Sequence, residues 1–295
     1  VFYEFAGDSY ISREKRSHLV WVFLALTLIG FGLLCVLRRQ VADENVDQEP
    51  DVVFEPVTQL YRSYNLLMTK EMVLLTFTFL YTGLELSFFS GVYGSCIGFT
   101  EDYGDRRKQL VGLSGIFIGL GEILGGALFG ILGMRTAVYG RDPIVLLGML
   151  THVTTFFIIF LILPFDAPFG ETESIAFLQP SATLVIVAAF GLGFGDSCYN
   201  TQLYSLVGRY FVTEAPSAFA IFKFMQSIAA ATAFAYSNYL DLRVQLGILV
   251  VFCIFGSYTF WSVEWSTHSA PEAEEEEAFA EEEEGEQEEE QEPQH

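Results

Sequence analysis

Long apolar runs, separated by shorter polar stretches, dominate the pattern of hydrophobic and polar positions along this chain. A helix that crosses the hydrocarbon core of a bilayer, about 30 Å thick, needs roughly 20 apolar residues, and seven runs meet that requirement. The seven predicted spans lie at residues 19–37, 72–94, 110–132, 144–163, 181–207, 215–240 and 244–263. Lipid offers a backbone no hydrogen-bond partners, so these runs must be helical. The sequence therefore predicts an all-α, multi-pass protein of the lipid bilayer.

The lengths of the connections predict the domain organisation. A long polar segment follows the first span, whereas the later spans are joined by short turns, apart from 164–180. That connection has three prolines and three acids, and we expect an exposed loop that is at least partly ordered. The predicted organisation is a one-span segment at 1–37, a linker at 38–71, a six-span bundle at 72–265 and an acidic tail at 266–295. The linker and the tail cannot bury much apolar surface and are predicted to be flexible or disordered.

Composition agrees with a membrane protein. Of the 295 residues, 52% are hydrophobic and only 18% are charged, which is unusual for a soluble domain. The net charge of −22 comes mainly from the tail, because residues 272–295 hold fourteen of the 37 acids and no Lys or Arg. The acidity therefore describes one segment, which we interpret as solubilising. The chain has no basic stripe that would hold nucleic acid.

Motifs for cofactor or catalytic chemistry are missing from the sequence. The four cysteines have no CxxC spacing, so neither a zinc site nor a disulfide framework is indicated. The glycine-rich runs GLGEILGG and GLGFG lie inside apolar spans and not at a strand-to-helix turn, which argues against a nucleotide site. No hydrolase, metalloprotease or Walker motif is present. We predict no cofactor, no metal and no enzymatic activity.

An internal repeat relates the six closely spaced spans. They divide into two triplets, 72–163 and 181–263, and the first helix of each triplet carries an acid eight residues before a tyrosine. Glu85 precedes Tyr93 in the first triplet, and Asp196 precedes Tyr204 in the second. Because each triplet has an odd number of spans, the two are predicted to be inverted relative to each other, as in many secondary transporters.

Charged residues inside the predicted spans are the candidates for function, because a carboxylate near mid-membrane costs about 2.5 to 3.5 kcal/mol on insertion scales. Glu85, Glu122 and Asp196 are the acids, and Lys223 lies on the helix that follows Asp196. Asn200 is four residues after Asp196 and shares its helical face. We expect Lys223 to pair with Asp196 and Asn200 to orient it. The group is interpreted either as a site coupled to protons or substrate, or as a static ion pair between helices.

Two further polar residues and a set of glycines have mainly structural interpretations. Glu122 is expected to hydrogen-bond between close helices, and His152 to be either a satisfied helix-facing histidine or a proton relay. Small residues one turn apart in the third span allow two backbones to approach closely. The glycines predicted to pack in this way are Gly115, Gly119, Gly121, Gly125, Gly126 and Gly130.

Four long runs carry a resemblance to a known family. They are YTGLELSFFSGVYGSCIGFT (81–100), LSGIFIGLGEILGG (113–126), GLGFGDSCYNTQLYSLVG (191–208) and SAFAIFKFMQS (217–227). In this order they resemble the UNC-like, ion-channel-regulator branch of the major facilitator superfamily, over residues from about 10 to 265. The acidic tail lies outside the resemblance.

The resemblance implies an architecture and an orientation. Members of the superfamily have twelve spans in two six-helix bundles, and this chain would hold the sixth span, the central linker and the complete second bundle. Because the chain begins at Val1 without Met, we expect it to be a C-terminal fragment. Lys and Arg divide evenly between the two sides, so orientation rests on the resemblance. It places the linker and tail in the cytosol, and 164–180 outside or in a lumen.

Two functions remain open at this point. By the same resemblance, the first helix of each triplet lines the central cavity, so that Glu85 and Asp196 would face a substrate or protons. The first hypothesis is a secondary transporter of an unidentified small solute, with proton coupling. The alternative is a non-transporting regulator or trafficking partner of ion channels or other membrane proteins. The sequence does not name the membrane.

Overall fold

A computed structural model describes the backbone of residues 13–36, 56–136 and 140–291, and side chains within 17–18, 20–33, 58–130 and 140–266. The α-helices in these residues are α1 (Arg13–Val36), α2 (Pro56–Leu67), α3 (Lys70–Ser87), α4 (Tyr93–Phe99), α5 (Arg107–Thr136), α6 (Asp142–Ile162), α7 (Ala182–Tyr210), α8 (Ala215–Tyr236) and α9 (Leu242–Gln291). A π-helical turn, Phe88–Val92, joins α3 to α4. Short 3₁₀ helices lie at Glu101–Arg106 and Ala167–Phe169.

Six helical segments among the described residues are long and apolar enough to cross a membrane. They are Lys70–Phe99, Glu101–Gly130, Asp142–Ile162, Ala182–Tyr210, Ala215–Tyr236 and Leu242–Ser266. Each matches one of the last six predicted spans, and the prediction of an all-α, multi-pass membrane protein is confirmed. The first predicted span coincides with α1, whose described apolar part, Val20–Leu33, is shorter than a span. A seventh span therefore stays a prediction.

Contacts divide the chain into two units, Val1–Gln59 and Leu60–His295, with the boundary inside the predicted linker. The first unit contains α1, and the second contains all six spans. The linker was predicted to be flexible throughout, but its last part forms α2. Pro56 at the first helical position and the helical spacing of Leu60, Tyr64 and Leu67 explain that helix. Residues 38–55 of the linker lie outside the described residues.

The acidic tail also differs from its prediction. The backbone of α9 continues as a helix beyond the last span to Gln291, where the sequence led us to expect disorder. Glu, Gln and Ala have high intrinsic helix propensities, which favours continuation of the helix from the last span into this segment. The last part of the predicted tail, 292–295, lies outside the described residues.

The packing of the six spans has the symmetry that an inverted repeat predicts. In the first triplet α3 is the leading helix, followed by α5 and α6; in the second α7 leads, followed by α8 and α9. Helix α5 packs on α7 as α8 packs on α3, and α6 packs on α7 as α9 packs on α3. Two further pairs, α3 with α7 and α6 with α9, join equivalent helices. The two leading helices therefore lie at the centre of the bundle.

The connection between α6 and α7 is an ordered loop. The backbone N–H of Thr172 donates to the carbonyl of Phe99 at 2.9 Å, and the N–H of Glu101 donates to the carbonyl of Thr172 at 3.0 Å. Asp166 accepts hydrogen bonds from the hydroxyls of Thr172 at 2.7 Å and Ser174 at 2.8 Å. Desolvation alone would raise the pKa of Asp166, but these two hydrogen bonds hold the pKa of the carboxyl below its ordinary value.

Replacing Asp166 with Asn is expected to loosen this loop by about 1 kcal/mol, because two hydrogen bonds to a charged acceptor are weakened. In the unchanged protein the same loosening should appear with acid. The pKa of Asp166 is lowered by folding, so its contribution is complete at neutral pH and is lost as pH falls below about 4.

A spin label at Glu173→Cys would report both effects as faster motion. Asp105→Asn, an exposed acid, is the matched control and should leave the spectrum unchanged; an unchanged spectrum for Asp166→Asn would contradict the prediction.

Candidate functional site

The carboxyl group of Glu85 lies at the centre of the second unit, on α3, and is completely buried. Its Oε1 is 2.9 Å from Nε2 of His152, a residue of α6 that is also completely buried. These two residues are the only titratable pair at ion-pair distance with both side chains at 0% exposure among the residues that the structure describes. Glu85 was predicted from the sequence as a candidate functional acid. Its partner in the structure, His152, had been given a mainly structural interpretation.

The hydrogen-bond partners of His152 define the tautomer of its neutral ring. Nε2 lies 3.0 Å from the carbonyl oxygen of Leu192, and Nδ1 lies 2.5 Å from the hydroxyl of Tyr81. A carbonyl only accepts, so Nε2 carries the hydrogen, and Nδ1 of the neutral ring accepts from Tyr81. The tautomer is assigned from these partners.

This arrangement leaves the carboxyl of Glu85 without a hydrogen bond. Although Oε1 is close to Nε2, the N–H is directed to the carbonyl of Leu192, and neither carboxyl oxygen has a hydrogen-bond partner among the described residues. A buried ionised carboxylate without hydrogen bonds is very unfavourable. A charge on Glu85 would therefore need a hydrogen-bond donor or a cation to be brought to it.

Glycines on α7 make room for this histidine. A Cβ added at Gly195 would overlap the imidazole ring of His152, and one at Gly191 would overlap the hydroxyl of Thr155. On the facing helix, a Cβ at Gly148 would lie 2.8 Å from Cβ of Cys198. The sequence signal for this contact was the run GLGFG before Asp196, which we had used only to reject a nucleotide site.

Asp196, on the second leading helix, pairs with its own helix. Nδ2 of Asn200 donates to Oδ1 of Asp196 at 2.7 Å, which confirms the predicted pair four residues apart. Asp196 is also within electrostatic range of Glu85, His152 and Glu122. The acids of the two triplets, which the repeat related to each other, thus influence one another directly.

The predicted ion pair between Lys223 and Asp196 is wrong. Nζ of Lys223 donates to Oε1 of Gln226 at 2.9 Å and lies 4.5 Å from the ring centroid of Phe222. The side chain of Lys223 is exposed. The expectation assumed that consecutive helices pack together, but α7 packs on α5 and α6, while α8 packs mainly on α3.

Glu122 is not the hydrogen-bonded lock that we expected. Its side chain is exposed on α5. Its neighbour Gly121 makes the close helix contact instead, since a Cβ there would lie 2.6 Å from the backbone nitrogen of Phe194 on α7. Glu122 therefore stays on the face of α5 that the second unit leaves uncovered.

The predicted packing glycines divide into two groups. Gly121 and Gly125 approach α7 as expected, the latter with a Cβ position 2.8 Å from Cβ of Ser197. A Cβ at Gly126 would reach only the hydroxyl of Ser197, at 4.0 Å. Added Cβ atoms would meet nothing within 4 Å at the remaining three positions, Gly115, Gly119 and Gly130. Those three face away from α7, because a helix presents only part of its circumference to one neighbour.

Sequence reasoning missed a polar chain that extends the site towards α9. The ring of Tyr199 stacks on the imidazole of His152, with centroids 5.7 Å apart and planes 12° apart. The hydroxyl of Tyr199 lies 2.6 Å from the hydroxyl of Ser257 and 3.3 Å from the thiol of Cys253. Tyrosines within apolar spans gave no signal that distinguished these residues from ordinary core aromatics.

The described part of the chain contains no cluster of three or more His, Cys, Asp or Glu side chains that would hold a metal ion. The site instead offers one carboxyl, one imidazole and several hydroxyls, arranged around the contact of α3, α6 and α7. Such groups can hold and pass a proton. Fold and site together define a multi-pass membrane protein with a titratable centre inside its helix bundle.

Comparison with known proteins gives the family. The sequence family described as "Ion channel regulatory protein UNC-93" matches residues 1–261. The chain therefore belongs to the UNC-93 family, as its resemblance in sequence implied. No solved structure gives a significant match.

Individual relatives agree with this assignment. "UNC93-like protein MFSD11" of Xenopus laevis is 43% identical over 90% of this chain, and the protein of that name from Xenopus tropicalis is 42% identical over the same share. "Protein unc-93 homolog A" of Danio rerio is 25% identical over 91% of the chain. The chain spans 63% of the length of the two Xenopus relatives and 55% of the Danio relative. None of these three has the name of an enzyme.

Proposed function

We propose that this protein is a proton-coupled secondary transporter of a small solute, with Glu85 and His152 as the coupling pair. The observation that carries the proposal is the completely buried carboxyl of Glu85, which has no hydrogen-bond partner among the described residues and lies 2.9 Å from Nε2 of His152. An ionisable group inside a membrane-spanning bundle is most often functional.

The geometry links proton release to exposure of the site. While the bundle encloses Glu85, loss of its proton leaves a buried anion without a hydrogen bond from the described residues. Water or a cationic group of the solute would supply the missing hydrogen bonds once a cavity reaches the carboxyl. The proton then leaves only in a conformation that also admits the solute, which is the requirement for coupling.

His152 and Asp196 support the same role. A protonated His152 keeps its contact with Tyr81, because Nδ1–H donates to the hydroxyl oxygen where neutral Nδ1 accepted from it. The ring can therefore take a second proton without losing a partner. Asp196 occupies the equivalent helix of the other triplet and interacts electrostatically with both groups.

The experiment compares the unchanged protein with Glu85→Gln in proteoliposomes. The probes are radiolabelled amino acids, monosaccharides, nucleosides and carboxylates, with a pH-sensitive dye inside the vesicles. We expect at least one class to enter in response to a pH gradient, and Glu85→Gln to abolish that dependence while preserving the folded, monodisperse protein. The matched control is Glu173→Gln, an exposed acid of the ordered loop, which should transport normally. Uptake by Glu85→Gln that still follows the pH gradient would contradict the coupling role.

A regulator is the second candidate, and the family description, "Ion channel regulatory protein UNC-93", is the observation that favours it. A regulator acts through a protein partner and needs no titratable centre. If the unchanged protein moves neither protons nor any of the probes, the transport proposal is wrong. Retention of an ion channel by both the unchanged protein and Glu85→Gln would then support the regulator.

A further inference from the structure

A groove lies away from the buried centre, between the end of the span Lys70–Phe99 and the start of α5. It has a volume of about 550 Å³. One wall is formed by the π-helical turn and α4, and the other by the first turns of α5. Its lining combines glycine and serine residues on the first wall with Arg107, Lys108 and Val111 on the second.

The first wall is apolar despite its serines. The hydroxyls of Ser90 and Ser95 donate to the carbonyls of Leu86 and Gly91 in their own helix, at 2.5 and 3.0 Å. They are therefore already satisfied. Opposite them, an added Cβ at Gly94 would lie 3.8 Å from Cγ1 of Val111, an ordinary van der Waals contact. Apart from Phe99, the residues that line this wall are glycines and serines, so only small side chains border the groove here.

The other end of the groove has unused positive charge. Nη2 of Arg107 contacts Oε1 of Glu171 at 3.1 Å, but Nη1 of Arg107 is buried and has no hydrogen-bond partner among the described residues. Lys108 is exposed and makes no ion pair among the described residues. A buried guanidinium nitrogen without an acceptor, beside an unpaired ammonium group, fits a bound anion.

The groove runs from headgroup depth into the hydrocarbon region. The span Lys70–Phe99 and helix α5, which begins at Arg107, have 30 residues each, so each is about 45 Å long, against a hydrocarbon core of about 30 Å. Arg107, at the start of α5, therefore lies at the level of the headgroups. Ser90 lies nine residues before Phe99, the end of the span Lys70–Phe99. It is therefore about 13 Å deeper in the membrane than Phe99.

We propose that this groove binds an anionic phospholipid, whose phosphate contacts Arg107 and Lys108 and whose acyl chain lies along the glycine wall. The positive charge lies at the level of the lipid phosphate, and the glycine wall lies deeper, at the level of the acyl chain. Glu171 competes with the phosphate for Arg107, since its exposed carboxylate now occupies Nη2. The site does not depend on transport.

The test measures binding of dioleoyl-phosphatidylglycerol to the purified full-length protein by native mass spectrometry. Arg107→Gln should weaken binding about fivefold, the effect of one cation near the membrane surface. Glu171→Gln should strengthen it, because the competing carboxylate is gone. Arg106→Gln removes the same charge from an exposed neighbour outside the groove and should have no effect. General electrostatic attraction would make both arginine variants bind more weakly. A defined site predicts weaker binding for Arg107→Gln only, and unchanged binding for Arg106→Gln.

Two further arms identify the ligand. Gly94→Leu places a side chain on the apolar wall and should abolish lipid binding, while Gly94→Ala should retain it; melting curves in lipid-free micelles verify that both fold. Phosphatidylcholine should bind at least fivefold more weakly than phosphatidylglycerol, by the same electrostatic argument. Equal binding of the two lipids, unchanged binding by Arg107→Gln, or complete displacement by inorganic phosphate would overturn the proposal, the last in favour of a soluble anion.

Discussion

Replacing Arg141 with Ala is expected to lower the thermal unfolding midpoint on the order of 10 °C, because it breaks a buried ion pair between α6 and α9. Nη1 of Arg141 lies 3.0 and 2.8 Å from the two carboxylate oxygens of Glu264. The side chains are only 14% and 1% exposed. Nε of Arg141 also donates to the hydroxyl of Ser205 on α7, at 3.1 Å.

The size of this effect comes from the group that remains. Loss of one partner from a buried ion pair typically costs about 3–5 kcal/mol, since the other charge stays desolvated. The double variant Arg141→Leu/Glu264→Leu should therefore recover much of the stability that Arg141→Ala loses. Thermal unfolding in detergent micelles measures both.

The exposed pair Arg243–Asp241 provides the control. Its atoms are as close, 2.9 Å, but its side chains are 56% and 26% exposed. Because solvent screens it, Arg243→Ala should cost less than about 1 kcal/mol. Equal midpoints for Arg141→Ala and Arg243→Ala would show that the buried pair contributes no more than the exposed one.

Hydropathy was sufficient to predict the six spans, because the bilayer imposes one length and one secondary structure on every crossing segment. The pairing of Asp196 with Asn200 was also predictable, since residues four apart on a helix are neighbours whatever the tertiary packing. Helix α2 was missed because a short amphipathic helix within a polar linker is masked by the average composition around it. The helical acidic tail was missed because its charge was weighed above its helix propensity.

The contact of Glu85 with His152 was not predictable in the same way. It depends on which helices of the two triplets meet at the centre, and sequence order gave a misleading answer for Lys223. The exchange of partners between triplets, with α5 on α7 and α8 on α3, places consecutive helices in different contacts. The repeat makes the pair α6–α7 equivalent to the pair α9–α3, but it does not show that either pair packs, so it could not place His152 beside the glycines that precede Asp196.

Those glycines lead to the second large effect. Replacing Gly193 with Ala is expected to destabilise the bundle by about 3 kcal/mol, at the upper end of overpacking costs. A Cβ at Gly193 would overlap the carbonyl oxygen of Ile118 and lie 2.7 Å from its carbonyl carbon. The obstacle is backbone on α5, which has no alternative rotamer, so α5 and α7 must separate along their contact.

The matched control for this substitution is Gly119→Ala, on the opposing helix. A Cβ there meets nothing within 4 Å, so the change should be neutral or stabilise α5 by up to about 1 kcal/mol through helix propensity. Both variants add the same methyl group to a glycine in an apolar span, and they differ only in what the methyl group meets. Thermal unfolding in micelles should therefore separate them by roughly 10 °C. Equal midpoints would mean that α5 and α7 do not approach each other closely at Gly193.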